Sequence, residues 1–511
     1  MLNIRQAIII LLITTTYSSS NAQQNDSTRI KTLLVFFDGL RPDYITQENM
    51  PNLFAFKKQG AYGKQHHSVF PTVTRVNAAS YATGSYPATH GLVGNEVYFP
   101  KVNPHSGLST GNANNLMTIN KSEDGHLLTT RSLGELLTNA GESMMVFSSG
   151  STGQAFLQNH TVGNGMIVNP EMILPVDKKD MVINAVGKIP EENETDNRAW
   201  HVWTTNALIH FGLADNGPLV SAIWFSDPDG AAHNKGIGSP EAIRSIKTVD
   251  EQFGRIVAHL QKSGLLQHYN IIVSADHGFV TYAGKHDLTD FLIEQKLKES
   301  KTSDDVIIAD AAVYVKDHNP QVIQKIVIAL QQQEWVGAIF TKGKNKGDMK
   351  GSVPGTLSFE SIHWDHPRSG DILVDVNWND NKNDNGYAGT SFSRGVAGHG
   401  SISPYEIHIA LIASGPSFKK LFESNFPTSN VDIVPTILYL NHIKVWENMD
   451  GRVMREFLSN QKIKPLFPVK KTVVTETKIN QLKYKLSLTT TTSGKSIYVD
   501  YARVERSRRV K

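Results

Sequence analysis

The sequence predicts an α/β fold, in which a mostly parallel central sheet carries helices on both faces. The first observation is a set of five runs rich in β-branched and aromatic residues, which is typical of buried strands. The second is that helical patterns separate these runs. The third is that four of the runs end in acidic or polar residues, where such sheets place their sites. The five runs are residues 30–39, 143–150, 218–227, 268–278 and 406–415.

Two segments between and after these runs are predicted to be helices. In residues 239–263, apolar residues from Ile243 to Leu260 recur at helical spacing, and Gly264 ends the pattern. Residues 430–440 form the second predicted helix, and Asn430 is its expected N-cap.

An insertion and a C-terminal extension interrupt the alternation of strands and helices. Residues 281–395 mix strand-like, helix-like and polar loop segments, and we interpret them as an inserted cap whose loops fall over the site. The end of the chain, within residues 466–511, alternates polar and apolar residues around a Ser-Gly turn, which predicts a β-hairpin. A catalytic domain is then expected over residues 23–465, with the cap inside it and a basic β extension after it.

Charge is distributed unevenly along the chain. The whole sequence has a net charge of +3, but residues 462–511 hold 13 Lys or Arg and 3 acidic residues. A basic terminus can contact nucleic acid or an anionic surface, or it can be a solvated tail that aids solubility. The solvated tail is the preferred interpretation, so no specific nucleic-acid partner is expected.

The N-terminal segment has the pattern of a secretory signal peptide. One arginine precedes the apolar run Ala7–Ile13, and Ser20 and Ala22 stand at the −3 and −1 positions of a cut. The run is too short to span a bilayer, and no second run approaches that length. Residues 1–22 are therefore expected to be removed, which leaves a secreted or periplasmic protein that begins near Gln23 and has no transmembrane segment.

Composition excludes several classes of protein. With 40% hydrophobic and 19% charged residues, neither a disordered chain nor a multi-span membrane protein is indicated. The sequence has no cysteine, which excludes disulfides, thiolate metal ligands and a cysteine nucleophile. A bacterial exported protein fits best. Four N-x-[ST] sequons leave a eukaryotic secreted origin open, and they begin at Asn25, Asn120, Asn159 and Asn193.

Side chains that bind metal ions follow the predicted strands. They are three aspartates, three histidines and one threonine: Asp38, Asp229, Asp276, His233, His277, His399 and Thr74. Without cysteine, such a set suits zinc or manganese. Seven ligands exceed what one tetrahedral ion needs, so the set predicts two ions about 3.5–4 Å apart, the spacing used for in-line displacement at phosphorus.

Each ligand also has a simpler interpretation. Gly39 directly follows Asp38, and Gly278 follows Asp276 and His277, so both aspartates can be turn residues. His399 can be a hydrogen-bonded core histidine, and Thr74 can be an ordinary N-cap of a short helix. A single two-metal site accounts for all of these segments at once, so we favour it.

The ordered motifs resemble those of the alkaline phosphatase superfamily, in its type I phosphodiesterase/nucleotide pyrophosphatase branch. The matching segments are "FFDG", "FPTVTRVN", "YPATHG", "PDGAAH", "ADHG" and "AGHG", in that order over roughly residues 30–440. Each piece alone is weak evidence, but the ordered set is highly specific. The resemblance implies an alkaline-phosphatase-like α/β/α sandwich.

The resemblance also implies a role for each site residue. Asp229, His233 and His399 would hold one zinc ion, and Asp38, Thr74, Asp276 and His277 the other. Thr74 would be the nucleophile that becomes phosphorylated, and Asn77 would hydrogen-bond a non-bridging phosphoryl oxygen. The implied activity is hydrolysis of phosphodiester or pyrophosphate bonds, in a small phosphate ester or a nucleotide.

Other residues of these motifs are expected to be structural. They are His90 in "YPATHG", and Asp432 and Pro435 in "DIVPT". Residues 363–371, "HWDHPRSGD", hold two histidines beside an acidic residue, and either orient a strand or bind a further metal ion.

The chain departs from the family pattern at Arg75. Family members usually carry an aromatic residue directly after the nucleophile, which stacks on the base. An arginine there suits a substrate with extra negative charge, or points to solvent or to a carboxylate of the cap. A phosphomonoesterase or phosphonate hydrolase is therefore the alternative function.

Two further classes of protein fit the sequence less well. A sulfatase is disfavoured because "TRVNA" lacks the required nucleophile context. A non-catalytic binding protein is disfavoured because it has no need of seven intact ligands. The oligomeric state is left open.

Overall fold

The computed structural model of the protein describes residues 29–191, 193, 196–444, 449–461 and 467–508. The predicted signal peptide, residues 1–22, lies outside the described residues. In the part of the chain that is described, no helix is both long enough and apolar enough to cross a lipid bilayer.

The strands occur along the whole described chain. They are β1 (Lys31–Phe37), β2 (Ala61–His67), β3 (Glu96–Val97), β4 (Leu108–Ser109), β5 (Met144–Ser148), β6 (Met166–Asn169), β7 (Met172–Leu174), β8 (Val220–Phe225), β9 (Tyr269–Ala275), β10 (Val280–Gly284), β11 (Val306–Ala309), β12 (Ala312–Val315), β13 (Val336–Thr341), β14 (Leu357–Ser358), β15 (Ile372–Val376), β16 (Trp378–Lys382), β17 (Ala388–Arg394), β18 (Ala397–Gly398), β19 (His408–Ser414), β20 (Phe422–Ser429), β21 (Val469–Ile479), β22 (Leu482–Ser493) and β23 (Ser496–Arg508).

The α-helices are α1 (Pro51–Gln59), α2 (Thr74–Thr83), α3 (Pro87–His90), α4 (Ala113–Ser122), α5 (Leu133–Asn139), α6 (Thr152–Gln158), α7 (Lys179–Val186), α8 (Arg198–Ala207), α9 (Asp229–Lys235), α10 (Pro240–Lys262), α11 (Leu288–Glu294), α12 (Pro320–Gln331), α13 (Pro404–Ile407) and α14 (Ile433–Leu440).

A nine-stranded sheet forms the centre of the molecule, in the order β20-β2-β19-β9-β1-β8-β5-β6-β7. The five predicted strands are confirmed as β1, β5, β8, β9 and β19. Most neighbours run parallel, and β19 is antiparallel to both of its neighbours. The predicted fold class is therefore correct.

Strand β1 shows why the sheet is covered on both faces. All seven of its residues are buried. Leu33, Val35 and Phe37 pack into one hydrophobic core, whereas Leu34 and Phe36 pack into another. Because successive side chains of a strand point to opposite faces, an unbroken apolar run requires a packed layer on each side.

Two groups of helices supply those layers. Apolar residues of α2, α4, α5, α6 and α14 belong to the core on one face. Residues of α1, α7, α8, α9 and α10 belong to the core on the other face. The predicted helix over residues 239–263 is α10, Pro240–Lys262.

The N-cap prediction for the later helix is wrong. A short 3-10 turn at residues 430–432 precedes α14 and has Ser429 as its N-cap, whose backbone N–H donates to Asp432 Oδ2 at 2.9 Å. Asn430 is instead fully buried, and its amide donates to the carbonyl oxygen of Ala275 at 3.0 Å. Asp432 is buried and structural, as expected, and it also accepts a hydrogen bond from Tyr498.

The chain between β9 and β19 forms two smaller sheets. One has the order β16-β17-β10-β18, and the other has the order β11-β12-β15-β13-β14. A separate hydrophobic core joins α11 and α12 to strands of the second sheet. This segment contains the predicted cap, residues 281–395, whose boundaries remain a prediction.

The C-terminal residues form a three-stranded antiparallel sheet, β21-β22-β23. The predicted hairpin is present as β22 and β23, and Gly494 adopts a positive φ in the turn. The additional strand β21 was missed because most of its residues are exposed and show no apolar stripe. Tyr484 and Leu486 of β22 join the same core as α2.

Candidate active site: two metal-ligand clusters

Parallel pairing brings the first ligands together. Phe37 and Ala275 are register partners at the ends of β1 and β9, so the residues that follow, Asp38 and Asp276, lie side by side. His277 comes next in the chain. Asp38, Asp276 and His277 form the inner cluster, whose three ligand atoms lie within 4.8 Å of one another.

The inner cluster is buried and tightly spaced. His277 Nε2 lies 3.0 Å from Asp276 Oδ2 and 3.5 Å from Asp38 Oδ1. The side chains of His277 and Asp276 have no exposed surface, and that of Asp38 is 8% exposed.

The outer cluster consists of Asp229, His233 and His399, whose ligand atoms also lie within 4.8 Å of one another. Asp229 begins α9, and His233 lies one turn later on the same face. Asp229 Oδ1 is 3.4 Å from His233 Nε2 and 3.3 Å from His399 Nε2. The rings of His399 and His277 stack with centroids 3.5 Å apart, so the two clusters adjoin.

Three carboxylate oxygens of these clusters lack a donor. Asp38 Oδ1, Asp229 Oδ1 and Asp276 Oδ2 are buried and, among the described residues, accept no hydrogen bond. Buried polar atoms normally have a partner, because leaving one unpaired costs about 1–3 kcal/mol. These oxygens therefore need a cation.

The other oxygens of the inner carboxylates are occupied. Trp224 Nε1 donates to Asp38 Oδ2 at 3.0 Å. Asp276 Oδ1 accepts the backbone N–H groups of Gly39 and His277, at 3.0 and 2.9 Å. These bonds orient the free oxygens toward the cluster.

The three histidines are held in one tautomer. The Nδ1 atoms of His233, His277 and His399 donate to the backbone carbonyl oxygens of Ala397, Gly278 and Thr72, at 2.9, 3.0 and 2.8 Å. A carbonyl oxygen only accepts, so each Nδ1 is protonated and each Nε2 is directed at the carboxylates, where it can bind a metal ion. Histidines that bind metals are oriented in this way. The residues present fit two metal ions.

Charge repulsion inside the clusters supports the same conclusion. Burial raises the pKa of Asp38 well above its usual value, and the nearby Asp276 and Asp229 raise it further. Burial also raises the pKa of Asp229, but the surrounding histidines outweigh it and leave this pKa below its usual value. The inner cluster therefore has an excess of negative charge that a cation would relieve.

Thr74 lies beside the inner cluster. Val73 is the N-cap of α2, Thr74 is the first helical residue, and no side chain caps the helix. The Thr74 hydroxyl Oγ1 instead lies 3.2 Å from His277 Nε2. The interpretation of Thr74 as an ordinary N-cap is therefore wrong, and its hydroxyl belongs to the site.

The expected contact between Asn77 and substrate does not agree with its surroundings. Asn77 is fully buried. Its Oδ1 accepts from Val69 N at 2.8 Å and from Asn430 at 3.2 Å, while its Nδ2 donates to the carbonyl oxygens of Val69 and Val73. The amide is used entirely within the fold, so Asn77 holds the loop that leads to Thr74.

Asn95 is a further site residue that the sequence motifs do not indicate. Its Oδ1 accepts the backbone N–H of Arg75 at 3.0 Å, which places this amide next to Thr74. Asn95 is only half-buried, so a substrate can reach it. The only indication in the sequence is that Asn95 follows the "YPATHG" motif and is a polar residue within an otherwise apolar segment.

Arg75 extends toward the outer cluster and the loop that contains Gly111. Its Nη2 atom would lie 3.2 Å from a Cβ atom built on Gly111. Its charge lowers the pKa of His233, which burial also lowers, although Asp229 raises this pKa overall. Burial raises the pKa of Asp310, in the predicted cap, and the charge of Arg75 opposes that rise. The Arg75 Nε atom is buried and, among the described residues, has no hydrogen-bond partner.

The remaining motif residues have structural partners. His90 is buried, and its ring contacts Ser80 Oγ at 2.9 Å and accepts the Leu92 N–H. In residues 363–371, His363 Nε2 lies 3.1 Å from the carbonyl oxygen of Ile497 and His366 Nε2 lies 3.2 Å from Thr129 Oγ1. These histidines are used separately, which disfavours a metal site there.

Comparison with known proteins agrees with this geometry. The type I phosphodiesterase/nucleotide pyrophosphatase family matches residues 32–385, more than half of the chain. The chain belongs to this family. It is an enzyme that hydrolyses phosphoric esters, and the family is metal-dependent.

Individual relatives are distant. Bis(5'-adenosyl)-triphosphatase enpp4 of Mus musculus is 23% identical over 425 residues, which cover 83% of this chain and 80% of the relative. Ectonucleotide pyrophosphatase/phosphodiesterase family member 5 of Homo sapiens is 26% identical over 248 residues, 48% of this chain and 44% of the relative.

A solved structure shows the shared fold. Murine ectonucleotide pyrophosphatase/phosphodiesterase 5, as an inactive threonine-to-alanine variant in complex with AMP, aligns with a TM-score of 0.60 at 19% identity. The alignment covers 84% of this chain and 100% of the murine chain. The alkaline-phosphatase-like α/β architecture is thereby confirmed.

Proposed function

We propose that the protein is a two-zinc phosphodiesterase/nucleotide pyrophosphatase that works through a phosphothreonine intermediate on Thr74. The observation that carries this proposal is the convergence of three unpaired carboxylate oxygens and three oriented Nε2 atoms beside the Thr74 hydroxyl. A structural site would have no need to present a hydroxyl in this position.

The two ligand clusters define where the ions would sit. The inner cluster together with Thr74 would hold one ion, and the outer cluster would hold the other. Histidine and carboxylate ligands without sulfur suit zinc, with manganese as the alternative. When bound, the ions would acidify the threonine hydroxyl and neutralise charge on the reacting phosphoryl group.

In the proposed reaction, Thr74 loses its proton to solvent and its Oγ1 attacks phosphorus. The new O–P bond forms as the bond from phosphorus to the leaving alkoxide or phosphate oxygen breaks. Water then attacks the same phosphorus and breaks the bond to Thr74, which releases a phosphomonoester. Each half-reaction is a displacement at phosphorus, and no oxidant or second substrate other than water is required.

Protein groups near Thr74 would stabilise the phosphoryl oxygens. Thr74 opens α2, and the N-terminus of a helix favours negative charge. We propose that Asn95, whose Oδ1 is held by the Arg75 N–H, donates from its free amide nitrogen to a non-bridging oxygen. Asn77 would act as a positioning residue that fixes the loop before Thr74.

Nucleotides are the proposed substrates. One relative is named a bis(5'-adenosyl)-triphosphatase, and the murine structure contains AMP. Arg75 favours a second candidate, a phosphomonoesterase or phosphonate hydrolase, because a guanidinium near the outer cluster can pair with an additional phosphoryl charge.

Substrate comparison would test the proposal. Hydrolysis of bis-p-nitrophenyl phosphate and of the p-nitrophenyl ester of thymidine monophosphate should exceed that of p-nitrophenyl phosphate, while metal analysis should find both ions. A strong preference for the monoester would overturn the diesterase assignment. Absence of zinc from the two catalytic clusters, with no turnover after zinc is added, would instead support a non-catalytic protein.

The proposal also covers the export of the protein and the limits of its domains. We propose cleavage after residue 22 and a secreted or periplasmic location, with a catalytic domain over residues 23–465 and a basic β extension over residues 466–511. N-terminal sequencing of the exported protein would test the cleavage position.

A further inference from the structure

A third group of metal-binding side chains lies away from the catalytic clusters. His67 ends β2, His408 begins β19, and Asp500 belongs to β23 of the C-terminal sheet. Their ligand atoms lie within 4.8 Å of one another. We call His67, His408 and Asp500 the sheet-junction cluster, because they connect the central sheet to the C-terminal sheet.

Strand pairing creates half of this cluster. His67 and His408 are direct register partners in the antiparallel pair of β2 and β19. Their rings therefore lie on one face of the sheet, with centroids 4.8 Å apart. The C-terminal sheet packs on that face and brings in Asp500, whose Oδ1 is 3.0 Å from His67 Nε2.

Hydrogen bonds orient these ligands as in the catalytic clusters. His67 Nδ1 donates to the carbonyl oxygen of Thr428 at 2.9 Å, so Nε2 is directed toward Asp500. Asp500 Oδ2 accepts from Thr491 Oγ1 at 2.7 Å, which leaves Oδ1 for the cluster. A protonated Nδ1 on a backbone carbonyl and a carboxylate with one occupied oxygen are what metal ligands usually show.

The contact between His67 and Asp500 requires a cation. Nε2 of the imidazole and Oδ1 of the carboxylate are both acceptors once Nδ1 carries the ring proton. Both side chains are only 1% exposed, so water does not separate them. Either a second proton on His67 or a metal ion must satisfy the pair.

His408 favours the metal ion. Its side chain is half-buried and, in the described part of the chain, its ring nitrogens make no hydrogen bond. Its ring lies 4.8 Å from that of His67, and its ligand nitrogen belongs to the same group, so a lone pair of His408 can reach an ion held beside His67 and Asp500. An ion pair between His67 and Asp500 leaves this lone pair without a function, whereas a metal ion uses it.

We propose that His67, His408 and Asp500 bind a third zinc ion, which fastens the C-terminal sheet to the central sheet. Two imidazoles and one carboxylate are a common zinc ligand set, and a water molecule would complete the coordination at the half-exposed His408 side. The ion would stabilise the fold and would take no part in phosphoryl transfer, so this proposal is independent of the proposed function.

Zinc stoichiometry of the full chain tests the site. After zinc loading and removal of free metal, His408→Gln should hold one zinc ion fewer than the unmodified chain, with unchanged kcat and KM for bis-p-nitrophenyl phosphate. The matched control is His105→Gln, because His105 is exposed and belongs to none of the three clusters. It should bind as much zinc as the unmodified chain. Equal zinc content in His408→Gln and the control would overturn the site.

The sheet-junction site can be tested even if the catalytic proposal fails or the variant does not fold. If the catalytic clusters bind no zinc, the difference of one ion between His408→Gln and the unmodified chain should persist while activity is absent. If His408→Gln does not fold, crystals of the unmodified zinc-loaded chain replace it, with data collected on both sides of the zinc absorption edge. An anomalous peak between His67 and Asp500 is expected, and its absence beside clear peaks at the catalytic clusters would refute the site.

Discussion

The inner and outer clusters contain similar ligands in different surroundings. The inner cluster has two carboxylates and one histidine and is almost fully buried, whereas the outer cluster has one carboxylate and two histidines, and His233 is 39% exposed. Burial, and then repulsion from Asp276 and Asp229, raises the pKa of Asp38, while histidines leave that of Asp229 below its usual value. On the proposed two-metal site, the inner cluster would depend more strongly on its cation, and the more exposed outer cluster would be the side that substrate reaches first.

The largest effect is expected at Thr74, which lies on the inner side. Thr74→Ala should lower kcat by about 10⁴- to 10⁶-fold, as removal of a nucleophile does in other enzymes. Phosphoenzyme trapped by acid quench should disappear, while zinc content and circular dichroism stay near those of the unmodified chain. Thr74→Ser is the matched control and should keep a phosphoenzyme. Normal turnover in Thr74→Ala would show that the nucleophile is misassigned.

Chelation should remove the outer and inner catalytic ions at different rates. During dialysis against EDTA, the outer ion should leave first, because its ligands are partly exposed, and activity should fall with that first equivalent. The inner ion should leave more slowly. Metal analysis along the time course in the His408→Gln background, which lacks the proposed sheet-junction ion, measures both steps, and adding His233→Ala should abolish the fast step. Simultaneous loss of both ions, or a fast step that persists in His233→Ala, would contradict the distinction.

A smaller effect is expected from Trp224, which hydrogen-bonds Asp38 of the inner cluster. Trp224→Phe removes the hydrogen bond to Asp38 Oδ2 and keeps an aromatic ring against Phe36. Loss of such a supporting hydrogen bond typically lowers metal affinity about 10- to 100-fold. Competition with a zinc indicator should therefore show one weakened site.

The matched control for this change is Trp203→Phe. Trp203 is equally buried but lies on the opposite face of the sheet and donates to the carbonyl oxygen of Gly187. It should leave both zinc affinities unchanged. Equal weakening of both sites in Trp224→Phe would mean that the change acts through general destabilisation.

The smallest effect is expected from Arg75, on the outer side. Arg75→Ala should reduce the ratio of monoester to diester hydrolysis by about fivefold, equal to about 1 kcal/mol, because the half-exposed guanidinium contributes only part of a charged contact. Arg75→Lys should retain most of the ratio. An identical ratio in all three proteins would remove Arg75 from the substrate site.

The strand predictions succeeded where burial is complete. Strands β1, β8 and β9 are buried along their whole length, so nearly every position must be apolar and the pattern is visible in the sequence. Strand β21 was missed because one side of the C-terminal sheet is exposed and its residues are mostly polar. A strand is therefore easier to predict from the sequence when both of its faces are buried.

The amide residues show the limit of motif reasoning. Asn77 stands one turn after Thr74, but on α2 this position faces the loop before the helix and Asn430. Asn95 is much farther along the chain, yet its side chain meets the backbone of Arg75. A loop that returns to a helix N-terminus leaves no periodic signal.

The sequence by itself determined the kinds of ligand, their positions at strand ends and the α/β class, because ligand chemistry and buried apolar runs are properties of local residues. The tertiary structure decided which ligands lie in the same cluster. Asp229 and His233 are neighbours on one helix, but His399 joins them, and Asp38 joins Asp276, only after distant strands align. Sequence spacing does not encode such contacts, since they depend on strand order and on the packing of layers around the sheet.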